Sequence, residues 1–255
     1  MDYGLSGRVA IVTGTGSQIG IGRTICLTLA KEGCDIVSAD IDLNGAEKTA
    51  ASVRELGGKA IAVKVDVSSW PDTDAMAKAA LKEFGRIDIL VNAAGLAAGG
   101  PVPFLESKQE TWEKDMAVNV YGTMNCSKAV IPTMVERKYG KIVNFSSIAA
   151  RAALLGSYSP AKAAVLAFTR GLASQYGPDN INVNCVAPGM VATNFFGGPP
   201  NDRMAKMFEG MASRVPMRRI QTTDDVANAI AFLVSDISMN ITGQCLQIDS
   251  GMIMP

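Results

Sequence analysis

Five times along this 255-residue chain, a stretch with helical spacing ends at glycine and is followed by a short apolar run. A glycine just past a helix adopts the left-handed conformation at low cost and releases the chain into an extended segment. The runs are nearly continuous in apolar residues, which is typical of parallel strands buried on both faces. The junctions are Gly33 before 35–39, Gly57 and Gly58 before 60–65, Gly85 before 88–92, Gly140 before 141–146 and Gly177 before 181–187.

This alternation of helix and strand predicts an α/β fold. We expect a Rossmann-type, doubly wound parallel sheet of about seven strands, flanked by helices and joined by right-handed crossovers. The length suits one large domain, and 48% hydrophobic residues can fill its core. Residues 1–255 are therefore predicted to form a single domain.

Composition excludes several classes of function. The 24 basic and 24 acidic side chains cancel without forming a charged block, so we expect no nucleic-acid partner. The absence of histidine excludes Ser-His-Asp triads and histidine-ligated metals, and we predict no metal site. Neither a signal-peptide pattern nor a membrane-spanning run is present, so no membrane partner is expected. Five isolated cysteines favour a reducing compartment, and a cytoplasmic location is predicted.

A glycine-rich loop follows the first predicted strand and directly precedes the first predicted helix. Glycine lets the backbone approach a pyrophosphate closely, and a helix N-terminus offers unpaired N–H groups with partial positive charge. The loop is therefore a candidate site for the phosphates of a dinucleotide. Its glycines are Gly14, Gly16, Gly20 and Gly22.

Asp40 ends the next predicted strand, about 20 residues after the glycine loop. A carboxylate there can accept hydrogen bonds from the adenosine ribose hydroxyls and repel a 2′-phosphate. No lysine or arginine stands in 14–22 or directly after Asp40 to attract that phosphate. We therefore predict NAD as the cofactor rather than NADP, while Asp42 and a plain solvated turn remain alternatives.

Tyr158 and Lys162 are one helical turn apart, so their side chains lie on the same face of a helix. A free tyrosine titrates near pH ~10, so a useful base at neutral pH needs a pKa lowered by about three units. A neighbouring ammonium has the right sign for this shift. The pair predicts a site of proton transfer.

With these motifs the whole chain resembles the short-chain dehydrogenase/reductase family in its single-domain form. Further segments match that family in order along the chain: Asp66 and Val67, 92–95, Asn119, Ser146 and Ser147, and Pro188 and Gly189 followed by Thr193. The resemblance implies an NAD(H)-dependent oxidoreductase that interconverts a secondary alcohol and its ketone. A polyol, cyclic alcohol, steroid or 3-hydroxyacyl compound would suit.

The resemblance also implies the catalytic roles. Tyr158 would be the general acid/base, Lys162 would lower its pKa, Ser147 would hydrogen-bond the substrate oxygen, and Asn119 would hold a water that links Lys162 to solvent. The spacing from Ser147 to Tyr158 is shorter than the family usually shows. Ser146 therefore remains a rival for the serine role.

The residues expected to bind NAD follow from the same resemblance. The glycine loop is about two residues longer than the family pattern, so Gly14 and Gly16 both remain candidates for its first glycine. The predicted set is Gly14, Ser17, Gln18, Gly20, Ile21, Asp40, Asp66, Val67, Asn92, Ala94, Gly95, Tyr158, Lys162, Pro188, Gly189, Val191 and Thr193.

Two further expectations concern the substrate side and the assembly. The family places a lid over the substrate, here at about 190–216, and its members commonly form homotetramers, which we expect for this chain. The alternative function is an NAD-binding regulatory protein with vestigial catalysis. Retention of all four catalytic residues argues against that alternative.

Overall fold

The computed structural model describes residues 2–100, 102–152, 156–195 and 202–254. Within them, seven strands form one fully parallel sheet in the order β3-β2-β1-β4-β5-β6-β7. The predicted doubly wound sheet is confirmed. The strands are β1 (Val9–Thr13), β2 (Asp35–Asp40), β3 (Ala60–Lys64), β4 (Ile89–Asn92), β5 (Gly140–Phe145), β6 (Ile181–Pro188) and β7 (Cys245–Ile248).

Helices cover both faces of the sheet. A π-helical turn, Ala117–Tyr121, joins the helix Gln109–Met116 to the helix Gly122–Arg137. No helix in the described part of the chain is long and apolar enough to cross a membrane. The helices are α1 (Ile21–Lys31), α2 (Leu43–Glu55), α3 (Trp70–Phe84), α4 (Gln109–Met116), α5 (Gly122–Arg137), α6 (Tyr158–Tyr176), α7 (Asp202–Ala212) and α8 (Thr223–Val234).

The strand order reverses at β1. From β1 the chain adds β2 and β3 on one side, and β4 then pairs with the other side of β1. Val12 of β1 therefore has Ser38 of β2 on one side and Val91 of β4 on the other. Crossovers on the two sides of this point lie on opposite faces of the sheet, and the loops after β1 and β4 diverge. A cleft therefore opens at the carboxyl ends of these two strands.

The core has one apolar layer on each face of the sheet. On one face, Ile25 of α1 and Ile230 of α8 pack with Val91. On the other face, Met134 of α5 packs with Leu90. Every residue of β1 and β4 is buried, which explains why these strands have continuous apolar runs.

Three of the five predicted glycine junctions have the expected left-handed backbone. Gly33, Gly57 and Gly85 have φ angles of 90°, 86° and 72°. At the Gly140 junction the left-handed residue is Lys138 (φ 50°), and at the Gly177 junction it is Asn180 (φ 60°). The prediction that these two glycines adopt the left-handed conformation was wrong.

Gly140 has a different physical role from the predicted one. It lies inside β5, and a Cβ atom built on it would be 2.6 Å from the Met134 sulfur. Glycine is required there because α5 packs closely on the strand, not because the helix ends there.

We expect Leu90→Ala to lower the free energy of unfolding by about 2–5 kcal/mol, because Leu90 is fully buried and the substitution leaves a cavity. Leu105, which is 95% exposed, provides the matched control, and Leu105→Ala is expected to change stability by less than about 0.5 kcal/mol. Urea denaturation of both variants measures this. Equal losses in the two variants would contradict the core assignment.

Candidate active site

A cavity of about 850 Å³ lies at the carboxyl ends of the central strands. It reaches from the glycine loop and Asp40 to the first turns of α6. Most of the residues predicted from the sequence form its wall, namely Gly14, Ser17, Gln18, Gly20, Ile21, Asp40, Gly95, Ser147, Tyr158, Lys162, Pro188, Gly189, Val191 and Thr193.

The glycine loop begins at Gly14, directly after β1. Gly14 has a φ of 75°, and a Cβ atom on it would lie 2.7 Å from the Ala94 nitrogen. A Cβ atom on Gly22 would lie 2.2 Å from the Gly14 carbonyl oxygen. Because these backbones are in direct contact, only glycine fits at either position. The geometry therefore favours Gly14 over Gly16 as the first glycine of the motif.

Side-chain hydrogen bonds hold the lengthened part of this loop in place. The Gln18 amide donates hydrogen bonds of 3.0 Å to the carbonyls of both Gly16 and Gly45, at the start of α2. The Ser17 hydroxyl donates to Asn194 Oδ1 across the cavity at 2.6 Å. The Gln18 side chain was predicted to contact phosphate. In the structure its amide group donates to main-chain carbonyls instead.

Asp40 is held at the edge of the cavity by main-chain donors. Its Oδ2 accepts from the Gly16 N–H at 2.7 Å, and its Oδ1 accepts from the Asp42 N–H at 2.9 Å. A carboxylate oxygen can accept further hydrogen bonds, so both remain able to bind a ligand hydroxyl. Asp42 lines the same cavity.

Tyr158 and Lys162 occupy the other end of the cavity. The Lys162 side chain is almost completely buried, with its residue 3% exposed. Its Nζ donates to the Phe145 carbonyl at 2.9 Å and lies 5.5 Å from the centre of the Tyr158 ring. The end of β5 therefore fixes the ammonium beside the phenol.

The two neighbouring serines have different partners. The Ser147 hydroxyl accepts from the Ala149 N–H at 3.2 Å and lowers the pKa of the neighbouring Tyr158, whereas the Ser146 hydroxyl donates to the Lys162 main-chain carbonyl at 2.9 Å. The Ser146 hydrogen bond thus connects the end of β5 to α6. Of the two rivals, Ser147 has the geometry expected of a group that binds a substrate oxygen next to Tyr158.

Burial dominates the electrostatics of this pair. Burial raises the pKa of Tyr158 to about 12, opposed by the hydrogen bond with Ser147 and assisted by the charge of Asp115. Burial lowers the pKa of Lys162 to about 8, opposed by Asp115 and Cys185. The pKa of Tyr158 is thus raised where a lowering by Lys162 was predicted: burial is the largest cause of the shift, and the Lys162 ammonium donates to the Phe145 carbonyl.

Asn119 lies in the π-helical turn and is fully buried. Its amide nitrogen donates to the carbonyls of Leu96 (2.7 Å) and Asp115 (2.8 Å), and its Oδ1 accepts from the Leu96 N–H at 3.2 Å. Asn119 therefore ties the loop after β4 to the α4–α5 segment. It lies behind the cavity wall, and its predicted role with water remains a prediction.

Four residues predicted to bind the cofactor also lie outside the cavity wall, namely Asp66, Val67, Asn92 and Ala94. Asn92 is buried and donates to Asn144 at 2.9 Å, while Val67 packs against Gly122. Asp66 accepts hydrogen bonds from Ser68. Asn92 and Val67 therefore contact α5, and the Asp66 carboxylate is bound within its own turn. The cofactor contacts of these four residues remain predictions.

Other wall residues had no distinctive signal in the sequence. The end of the cavity at Tyr158 is lined by Ile148, Ala149, Met190 and Phe195, and the Phe195 ring centre is 5.9 Å from that of Tyr158. Part of the predicted lid, residues 196–201, lies outside the described residues. The described part of the chain contains no group of three or more His, Cys, Asp or Glu side chains able to hold a metal ion.

Comparison with known proteins agrees with this geometry. A family model described as enoyl-(acyl carrier protein) reductase matches residues 14–253. Among characterised relatives, (2S)-((R)-hydroxy(phenyl)methyl)succinyl-CoA dehydrogenase subunit BbsD of Thauera aromatica is 39% identical, with 97% of each chain covered. Cis-4-hydroxycyclohexanecarboxylate dehydrogenase of Sinomonas cyclohexanicum is 37% identical, with 96% of each chain covered.

A solved structure of NAD⁺-bound xylitol dehydrogenase superposes with a TM-score of 0.86 at 30% identity, covering 97% of this chain and 99% of that one. The chain belongs to the short-chain dehydrogenase/reductase family. It is an oxidoreductase for substrates of the alcohol and ketone type, and members of this family use nicotinamide cofactors.

We expect Lys162→Met to raise the free energy of unfolding at pH 7 by about 1–3 kcal/mol in the cofactor-free protein. The ammonium is buried, and a pKa lowered from its usual ~10.4 to about 8 means that folding disfavours its charged form. The unfolded chain binds the proton more tightly between these two pKa values, so wild-type stability rises with pH across that window. The variant lacks this rise.

Chemical denaturation at pH 7 and at pH ~9.5 measures the difference. The exposed Lys82 of α3 is the control, because Lys82→Met removes an ammonium that water already solvates. A Lys162→Met protein less stable than wild type at pH 7 would show that the ammonium stabilises the fold.

Proposed function

We propose that the chain is an NAD(H)-dependent oxidoreductase that interconverts a secondary alcohol and its ketone, with Tyr158 as the general acid/base. One observation carries this proposal. A single cavity has Asp40 and the glycine loop at one end and Ser147, Tyr158 and Lys162 at the other. A dinucleotide lying between these ends would bring its reactive ring to the phenol.

The cofactor end suits NAD. The close contacts of Gly14 and Gly22 leave main-chain N–H groups at the start of α1 without covering side chains, which is what a pyrophosphate requires. The Asp40 carboxylate is fixed by two main-chain donors and would accept the ribose hydroxyls. Thr193 and Val191 line the same cavity, where the resemblance assigns them to the nicotinamide side.

The chemistry at the other end is proton transfer coupled to hydride transfer. NAD, when bound, supplies the hydride acceptor. Tyr158 takes the hydroxyl proton during oxidation of the alcohol and returns a proton to the ketone oxygen during reduction. A phenol with a raised pKa stays protonated near neutral pH, so the site as folded is prepared for the reduction direction. Ser147 orients the substrate oxygen towards this phenol.

The reacting end of the cavity favours a substrate that is uncharged near the reacting carbon. Among the described wall residues, the charged side chains are Asp40 and Asp42 at the cofactor end and Lys162. The rest of the described wall beside Tyr158 is uncharged, with apolar side chains such as Ile148, Met190 and Phe195 next to the hydroxyl of Ser147. The names of the relatives, which include a hydroxycyclohexane carboxylate and a phenyl-bearing thioester, support a cyclic or acyl skeleton.

We further propose a homotetramer assembled through the exposed apolar side chains of the α4–α5 segment. Tyr121 is 57% exposed and Met124 is 41% exposed on this segment, which the family uses in assembly. Cys26, Cys34, Cys126, Cys185 and Cys245 are free, as in a protein of the reducing cytoplasm.

The first test is Tyr158→Phe, which removes the proton-transferring hydroxyl and keeps the ring against Phe195. We expect kcat/KM to fall about 10²–10⁴-fold, with NADH affinity unchanged. NADH absorbance is followed over a panel of cyclic alcohols, steroids and 3-hydroxyacyl thioesters and their ketones. Tyr176→Phe, at the far end of the same helix and outside the cavity wall, is the control and should keep full activity. Turnover by Tyr158→Phe at the wild-type rate would disprove the assignment.

The second test concerns Asp40 and cofactor choice. Wild-type protein is expected to bind NADH more tightly than NADPH, and Asp40→Asn should reduce that preference by about tenfold or more, because a charge that repels the 2′-phosphate is lost. Asp42→Asn, which changes the other carboxylate of the cavity, should leave the preference within about twofold. Fluorescence titration of both nucleotides measures the ratio. Tighter binding of NADPH by wild type would overturn the cofactor proposal.

A further inference from the structure

The carboxylate of Asp115, in the last turn of α4, is buried behind the catalytic cluster with its residue only 1% exposed. In the described part of the chain no lysine or arginine is within ion-pair distance of it. Its hydrogen-bond donors are neutral. Burying a carboxylate without an ion-pair partner is costly, so a residue of this kind calls for a functional explanation.

Asp115 joins three segments that carry the proposed catalytic residues. Its Oδ1 accepts from the Ala98 N–H at 2.8 Å, in the loop after β4. Its Oδ2 accepts from the Ser157 hydroxyl at 2.6 Å, at the start of α6. Its main-chain carbonyl accepts from the Asn119 amide at 2.8 Å. One residue therefore fixes the relative positions of the loop, the π-helical turn and α6.

The contact with Ser157 bears directly on Tyr158. Ser157 is the residue before the first residue of α6, and its side chain does not cap that helix. The Ser157 hydroxyl donates its hydrogen bond to Asp115 instead. Because Tyr158 follows Ser157 in the chain, the hydrogen bond from Ser157 to Asp115 sets the position from which the phenol enters the cavity.

We propose that Asp115 is a positioning residue for the reaction, holding Tyr158 through Ser157 and supplying a fixed negative charge beside the Tyr158 and Lys162 pair. This inference rests on the function proposed above. A hydrogen-bonded neutral side chain would be enough to join the segments, so the charge is the feature that distinguishes a role in the reaction from a purely structural one.

The charge acts on both members of the pair in the same direction. The charges of Asp115 on α4 and Cys185 on β6 both raise the pKa of Lys162 against the effect of burial. Tyr158 has Ser147 facing it from the end of β5 and Asp115 from α4. Asp115 thus favours the ammonium and the neutral phenol, which are the forms needed to protonate a ketone.

The charge is tested with Asp115→Asn, which keeps the shape and can keep both hydrogen bonds. In ketone reduction the rate falls at alkaline pH as the pair loses protons, first from the Lys162 ammonium and then from the Tyr158 phenol. Without Asp115 both protons are lost more easily, so the alkaline limb of the kcat profile should move to lower pH by roughly half a unit to one unit. Glu110→Gln, which removes a carboxylate from the exposed side of α4, should not move it.

The hydrogen bond is tested with Ser157→Ala and Ser157→Thr. We expect Ser157→Ala to lower kcat about tenfold, with the KM for NADH and the alkaline limb unchanged, because the phenol is misplaced but its electrostatics are retained. Ser157→Thr keeps a hydroxyl and should restore kcat to within about threefold of wild type.

All variants are assayed as the full chain, with NADH and the ketone of the panel that wild type reduces fastest. Tryptophan fluorescence and NADH titration establish that each is folded and binds cofactor. An unmoved alkaline limb in a folded Asp115→Asn protein overturns the charge role, and full activity of Ser157→Ala overturns the positioning role. If Asp115→Asn does not fold, the two Ser157 variants decide the positioning role. Activity of Tyr158→Phe would instead refute the proposed function itself.

Discussion

The reversal of strand order at β1 is the constraint on which the cavity depends. All seven strands point their carboxyl ends to one edge of the sheet, and the crossovers from β1 and from β4 pass over opposite faces. The loops at these strand ends diverge and leave a cleft that no side chain of the core fills. The glycine loop after β1, Asp40 at the end of β2 and Ser147 after β5 reach that cleft because their strands end there.

Three polar groups are buried beside this cleft, at a cost in stability that the proposed function would explain. Lys162, Asn119 and Asp115 are each nearly inaccessible to water, and each makes at least one hydrogen bond to the main chain. Burying a polar group without a hydrogen-bond partner costs free energy, whereas a buried group with all its hydrogen bonds made is held rigidly. The network therefore fixes the geometry around Tyr158, and under the proposed function this would preorganise the site for its transition state.

The site residues differ in how well their positions could be predicted from the sequence. The helical spacing of Tyr158 and Lys162 gave their common position on α6 directly, and the glycine pattern located the loop at Gly14 to Gly22. Asp115 had a sequence signal, since it stands one helical turn before Asn119, but its meaning depends on Ala98 and Ser157, which are distant in the chain. The direction of the Tyr158 pKa shift also escaped prediction, because desolvation depends on what surrounds the phenol in three dimensions.

The sequence alone determined the α/β class, the parallel sheet, the sites of the glycine loop and the order of the family motifs. These features are local, because hydrophobic period, glycine conformation and motif spacing act over a few residues. Tertiary structure decided that Ser147 and not Ser146 meets Tyr158, that Asn92 and Val67 pack behind the cleft, and that Gly140 serves close packing. Each of these depends on contacts between residues far apart in the chain, where the direction of a side chain is set by the packing of whole strands and helices.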